Sequence, residues 1–173
     1  MQDNTKDNFR VIADEILKRS KVDQEMRKSR KWDSSVDIDN TQRMKEIVEQ
    51  IGWPTISKVG SHASHMAWLL VQHADHDHTF QQMCLNLMKA LPSKEVPFKD
   101  IAYLEDRVRV GAGHPQLYGT QFYINEAGAF GPRPIEEPDT LDERRKAVGM
   151  EPFSEYVRIM EQLYKEPPGK DEA

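Results

Sequence analysis

The stretch VGSHASHMAWLLVQHADHDHTFQQMCLNLM, Val59 to Met88, decides the fold: it holds five of the six histidines, the single cysteine and the most apolar run of the chain. From Ser61 to about Ala74 or His76 the apolar residues recur at helical spacing, which predicts a helix. On a wheel of about 100° per residue, Ala63, Met66, Ala67, Leu70 and Ala74 share one side, and His62, His65, Leu69, Gln72, His73 and His76 share an arc on the other. A second helix is expected from about Asp77 to Leu91, ended by Pro92. Between the two lies ADHDH, in which Asp75, Asp77 and Thr79 can each cap a new helix, so a break is expected there.

Upstream, Phe9, Ile12, Ala13, Ile16 and Leu17 fall at i, i+3, i+4, i+7 and i+8, an amphipathic helix that Val22 and Met26 continue. Asp33 to Asn40, rich in Asp, Ser and Asn, reads as a loop, with Asp39 or Asn40 as the cap of a helix carrying Met44, Ile47, Val48 and Ile51. Gly52 and Trp53-Pro54 stop that helix. Downstream, Pro97 opens a helix with Phe98, Ile101, Ala102, Leu104 and Val108, closed by Gly111 and Gly113.

The texture then changes. YGTQFYINEAGAFGPRPI, Tyr118 to Ile135, predicts a β-hairpin with strands near Gly119–Asn125 and Ala129–Ile135, the prolines at 132 and 134 keeping the second at an edge. Short helices follow at Leu141–Val148 and from Pro152. The expected fold is mainly α: a single-domain bundle of six to seven helices over 8–165 with one small hairpin near residues 118–135, between disordered ends 1–7 and 166–173.

Bulk chemistry narrows the function classes. With 31% charged and 38% hydrophobic residues, the chain reads as soluble, and no apolar run approaches the roughly 20 residues of a membrane span. The start has no signal-peptide layout, so a cytoplasmic location is expected. A net charge of −5 argues against a nucleic-acid partner. The basic run Lys18, Arg19, Lys21, Arg27, Lys28, Arg30 and Lys31 is interrupted by Asp23 and Glu25 and reads first as a solvated helix face, with a polyanion patch as the alternative. Cys84, within an apolar helical pattern, is expected to be an inert buried thiol.

His62 and His65 stand about three turns, or roughly 16 Å, from His73 and His76 along a helix, so the four cannot share one ion. Neither a metal nor another cofactor is expected. His76-Asp77 is similar, in two letters, to the adjacent pair of the HD phosphohydrolases, all-helical enzymes that bind divalent metal through that pair, an earlier His on another helix and a later Asp. Here the nearest earlier candidate, His65, is only eleven residues upstream and on the same expected helix. His73 and Asp75 can share a site only where the helix ends, which ADHDH permits. Histidine there suits general acid–base work. Arg107 offers a planar fork for an anionic or carbonyl group, or else an internal salt bridge. Gln116, Tyr118, Thr120 and Gln121 bring uncharged donors and acceptors beside Gly119, for a ligand or for a hydrogen-bonded hairpin.

The series DQEMR, GWP, AWLLVQHADHD, AYLEDRV, QLYGTQ, PRPIEEPD and LDERRKAVGMEPFSEY, over about residues 22 to 164, resembles an uncharacterised bacterial family classed as a domain of unknown function. The resemblance implies that His73, Asp75, Asp106, Arg107, Gln116, Tyr118, Gly119, Thr120, Gln121 and Arg144 belong to its recurring pattern, and it passes over His62, His65, His76 and His78. The expectation is a metal-independent hydrolase or transferase acting on a small polar substrate, sugar-, nucleoside- or peptide-like. His73, Asp75 and Arg107 are its candidate catalytic residues; Gln24, Arg27, Asp106, Gln116, Tyr118, Thr120 and Gln121 are its candidate substrate contacts. The alternatives are a non-catalytic binding or immunity-type protein and a metal-dependent HD-type phosphohydrolase.

Overall fold

The computed structural model describes residues 2–29 and 31–165, the first three of these for backbone alone. The expected tail, 166–173, lies outside the described residues, whereas helix begins at Gln2, inside the stretch expected to fray. The fold is mainly helical with one two-stranded hairpin, as the spacing predicts. The chain groups into two compact units, Met1–Leu104 and Glu105–Ala173.

The first unit is built around the quoted stretch. It contains α1 (Gln2–Ser29), α2 (Ser34–Ile51), the single turn α3 (Ile56–Val59), α4 (Ser61–Gln72), α5 (His78–Lys89) and the start of α6 (Phe98–Gly111). Helix α4 packs against α1, α2, α3 and α5. Its buried face is Ala63, Ala67, Leu70 and Val71, and the small residues let neighbouring backbones come close. Ile12 and Ile16 of α1, Met44 and Ile47 of α2, and Phe80, Cys84, Leu85 and Met88 of α5 are buried with it in the unit's core. Burial pushes the Cys84 thiol up to about 12, so it stays a protonated hydrophobe.

Two boundaries differ from expectation. Ser34–Asn40, expected as loop, forms the first two turns of α2: Asp33 is the cap, its carboxylate accepting from the Ser35 amide at 2.9 Å. Asp-Ser chemistry suits a cap as well as a loop, and here it starts a helix. Likewise α4 ends at Gln72, so His76 does not share its histidine stripe. The break itself is where ADHDH places it, with Asp77 capping α5 by accepting from the Phe80 amide at 2.9 Å. Gly52 ends α2 at φ +69°, its amide reaching the Val48 carbonyl.

The second unit holds the remainder of α6, strands β1 (Phe122–Ile124) and β2 (Phe130–Pro132), a 3-10 turn (Pro138–Thr140), α7 (Leu141–Ala147) and α8 (Phe153–Lys165). The strands pair antiparallel with Tyr123 opposite Gly131, and α8 packs on β2 and α7. Phe122 stacks on Phe130 and meets Tyr156 edge-on, at centroid separations of 5.4 and 5.8 Å. The strands are shorter than expected because the backbone around Gly119–Gln121 bonds to side chains instead of a ladder, as described below, and because Pro132 and Pro134 have no amide hydrogen to give.

Candidate functional site

Asp23 and Arg27 are four residues apart on α1 and so share a face. Arg27 donates through Nε to Asp23 at 3.1 Å and through Nη2 to Asp37 of α2 at 2.7 Å. Gln24 donates to the other Asp23 oxygen at 2.8 Å. His73, the residue that closes α4 at φ −90° and ψ 3°, brings Nδ1 to 3.0 Å from both Asp23 oxygens. Asp23 is fully buried and the His73 side chain 14% exposed, so the carboxylate is sealed while the ring edge remains partly open.

The electrostatics assign the proton. Burial pushes the Asp23 carboxyl up, but the hydrogen bond and charge of His73, then Gln24 and Arg27, more than offset it and hold Asp23 below its ordinary value. An ionised carboxylate only accepts, so Nδ1 carries hydrogen, and in the neutral tautomer that this selects the lone pair lies on Nε2. Among the described residues no hydrogen bond engages Nε2. Asp37 behaves oppositely: burial raises it, against the nearby Arg27 charge. Two carboxylates and one guanidinium leave one negative charge, which a protonated His73 would neutralise. The donor atoms of Asp23, Asp37 and His73 also lie within 4.8 Å of one another, close enough to share an ion, but the Arg27 guanidinium already bridges both carboxylates.

The partner of His73 is therefore Asp23, not Asp75. Asp75 is exposed and accepts from Gln81 Nε2 at 3.2 Å. That same amide, fully buried, donates to the carbonyls of Val71 and Gln72 at 3.3 and 3.2 Å. Gln81 thus fastens the end of α4. In the HD string, Asp77 is a helix cap paired with Lys45 at 2.6 Å and His76 is exposed. His65 is paired too, its Nδ1 2.9 Å from buried Asp100 and its ring stacked on Trp68.

In the second unit the expected polar residues turn inward. Asp106 is fully buried. It accepts from the amides of Leu117 at 2.7 Å, Tyr118 at 3.0 Å and Thr120 at 2.9 Å, and from the Thr120 hydroxyl at 2.9 Å. Burial pushes its carboxyl up against these donors, all of which favour the charged form. Gln116, also fully buried, donates to the carbonyls of Gln121 and Arg133 and accepts from the Gln121 amide at 2.7 Å. Gln121 donates to Thr120 Oγ1 at 3.0 Å and accepts from Arg107 at 3.3 Å. Gly119 sits at φ +72° with the Phe153 ring against it: a Cβ there would come within 2.6 Å of that ring. Arg144 donates to the carbonyls of Leu117 at 2.8 Å and of Glu136 and Glu137. Arg145, 1% exposed, donates to the carbonyls of Glu151 and Tyr118 and lies over the rings of Phe153 and Tyr156.

Residues 13–166 match the model of a family described as a family of unknown function (DUF6624). The chain belongs to DUF6624. No curated protein and no solved structure matches it. The DUF6624 chain therefore has to be read from its own side chains. The structure gathers Gln24, Arg27 and His73 in the first unit, and Asp106, Arg107, Gln116, Tyr118, Thr120 and Gln121 in the second. Sequence reasoning missed Asp23 and Asp37 as functional groups. The i, i+4 spacing of Asp23 and Arg27 was a usable signal for the first; Asp37 lay in a stretch read as loop and gave none.

Proposed function

We propose that this protein is an enzyme, a metal-independent hydrolase or transferase, in which His73 Nε2 accepts and returns a proton at a small polar substrate. One observation carries the reading: a buried, ionised carboxylate holds the far side of the imidazole at 3.0 Å and leaves the near side unbonded. Asp23 fixes the tautomer and stabilises the imidazolium once Nε2 takes its proton. Gln24 and Arg27 keep Asp23 ionised and aimed, and Asp37 balances the Arg27 charge. Asp106, Gln116 and Thr120, whose polar groups are spent within their own unit, organise backbone in this reading and do not touch substrate. Small uncharged or weakly charged substrates suit a site whose charges already cancel when His73 is protonated. Among the described residues no helix is long and apolar enough to cross a membrane, and a cytoplasmic bacterial setting is the simplest one for this chemistry.

The test is a panel of p-nitrophenyl esters, phosphates and glycosides, with nucleosides and short peptides, assayed on wild type, His73→Gln and Asp23→Asn. Loss of any observed turnover in both variants, with the folded state kept by circular dichroism, supports the reading. Turnover untouched by His73→Gln overturns it.

A second reading rests on the ligand-atom spacing of Asp23, Asp37 and His73, which a divalent cation would exploit by displacing Arg27. Thermal melts with Mn2+, Zn2+ and Mg2+ separate the two: a rise in melting temperature abolished by Asp37→Ala would favour the metal.

A further inference from the structure

The hairpin of the second unit has an open edge. Its sheet consists of β1 and β2. The Arg133 amide donates to the Gln121 carbonyl and the Asn125 amide to the Ala129 carbonyl, both at 2.9 Å. Bonded and unbonded positions alternate along an antiparallel pair, so with Tyr123 opposite Gly131 the backbone groups of residues 121, 123 and 125 face β2. Those of Phe122 and Ile124 point away from it, and no described residue bonds to them. Such a row is a template for another strand. The usual protections are missing from it. On β2, Pro132 has no amide to offer, but residues 120–125, TQFYIN, contain neither proline nor lysine nor any ionised side chain. Ile124 is 55% exposed, although it lies on the same side of the strand as Phe122, which meets Tyr156 of α8 edge-on.

The edge is complementary to itself. When a second β1 runs antiparallel to the first with Tyr123 facing Tyr123, Phe122 of each copy stands opposite Ile124 of the other. Both are outward-bonding positions, so each such pair exchanges amide and carbonyl in both directions, and no backbone group of Phe122 or Ile124 is left over. The exposed Ile124 side chain comes to lie against the Phe122 ring, an aromatic and β-branched cross-strand pair. The ladder ends at Thr120, whose amide is committed to Asp106 at 2.9 Å. Glu126, the ionised residue nearest in sequence, falls opposite Thr120 and not opposite its own counterpart, so this register sets no like charges together even in a chain of net charge −5. An unrelated extended peptide would meet the backbone, but nothing at the edge selects its side chains. We infer that the free edge of β1 is a self-association surface, through which two copies of this chain join their hairpins into one four-stranded antiparallel sheet. The surface does not depend on the proposed activity.

The experiment is sedimentation velocity of the full chain from about 5 μM to about 1 mM, with residue-resolved amide hydrogen exchange at both ends of that range. A monomer–dimer equilibrium with a Kd below about 200 μM is expected. Exchange at Phe122 and Ile124 should slow about threefold or more on concentration, and by more than at Tyr123, which is already bonded to β2. Ile124→Lys should weaken the dimer about tenfold or more, although a lysine by itself eases repulsion between two acidic chains. Val11→Lys, the same kind of change at an exposed apolar residue of the first unit, should weaken it less than about threefold. Protection of the Tyr123 amide in the dilute sample reports that a variant keeps its hairpin, and the wild-type exchange pattern decides the question where a variant does not. A monomer at about 1 mM, a dimer without selective slowing at Phe122 and Ile124, or equal losses in the two lysine variants would each overturn the assignment, as would capture of an extended peptide by a chain that stays monomeric.

Discussion

Asp23 and Asp106 are both fully buried aspartates, one in each compact unit, yet they are solvated by different things. Asp23 is held by side chains: an imidazole, an amide and a guanidinium. Asp106 is held by three backbone amides and a hydroxyl. Backbone donors cannot titrate or move away without unfolding the segment, so Asp106 sets the path of Leu117–Thr120. Side-chain partners can exchange protons, and Asp23 hands its charge to a ring whose other edge is unbonded. The same residue type at the same burial is architecture in one unit and candidate chemistry in the other.

Breaking the architectural half should have the largest effect. Asp106→Ala leaves several buried donors unmade, and urea denaturation should show a loss of about 3–5 kcal/mol. His73→Gln should instead spare most of the fold and lower any turnover by about 10²–10⁴-fold, read as the ratio of kcat/KM values. Gly119→Ala combines a positive φ with a 2.6 Å approach to Phe153 and should cost about 2–3 kcal/mol by thermal melting.

The sharpest version of the comparison is its dependence on pH. Asp23 is held below its ordinary value in the folded state, so its contribution is present above the unfolded-state pKa and is lost as pH falls through the folded one. Asp106 is raised, so its contribution is full below the unfolded-state pKa and is lost as pH rises through the folded one. The stability gap between wild type and Asp23→Asn should therefore narrow on acidification, and the gap to Asp106→Asn should widen. Slopes of the same sign in denaturation series from pH 3 to about 7 would erase the distinction. Lys45→Ala, which removes a partly exposed partner of the Asp77 cap, should cost no more than about 1 kcal/mol.

Much of the first unit was legible. Apolar periodicity located α1, the rest of α2 and α4 to α6, and capping chemistry placed the break before His78. Ser34–Asn40 was not legible as helix because its buried residues are Asp37 and Asn40, polar groups that interrupt the apolar stripe while serving Arg27 and Arg19. The pairing of His73 with a carboxylate was guessed from the nearest one, Asp75, whereas the true partner is fifty residues away; adjacency in sequence carries no information about contacts across helices. Gln116 and Thr120 looked like ligand-reading groups because inward and outward polar residues have the same letters. Their direction is set by partners the letters do not show: the Asp106 carboxylate, placed by α6, takes the Thr120 hydroxyl, and the backbone of Gln121 and Arg133 takes the Gln116 amide.

Gln81 carries a last consequence. Its one amide nitrogen ties together the carbonyls of Val71 and Gln72 and the carboxylate of Asp75 from a helix further along the chain, closing residues 71–81 into a loop with a fixed circumference. The histidine is thus carried on a clasp whose length acts as a ruler. Chains of this family should tolerate insertions at the hairpin tip near Gly128 far more readily than any change in the nine-residue count from Gln72 to Gln81.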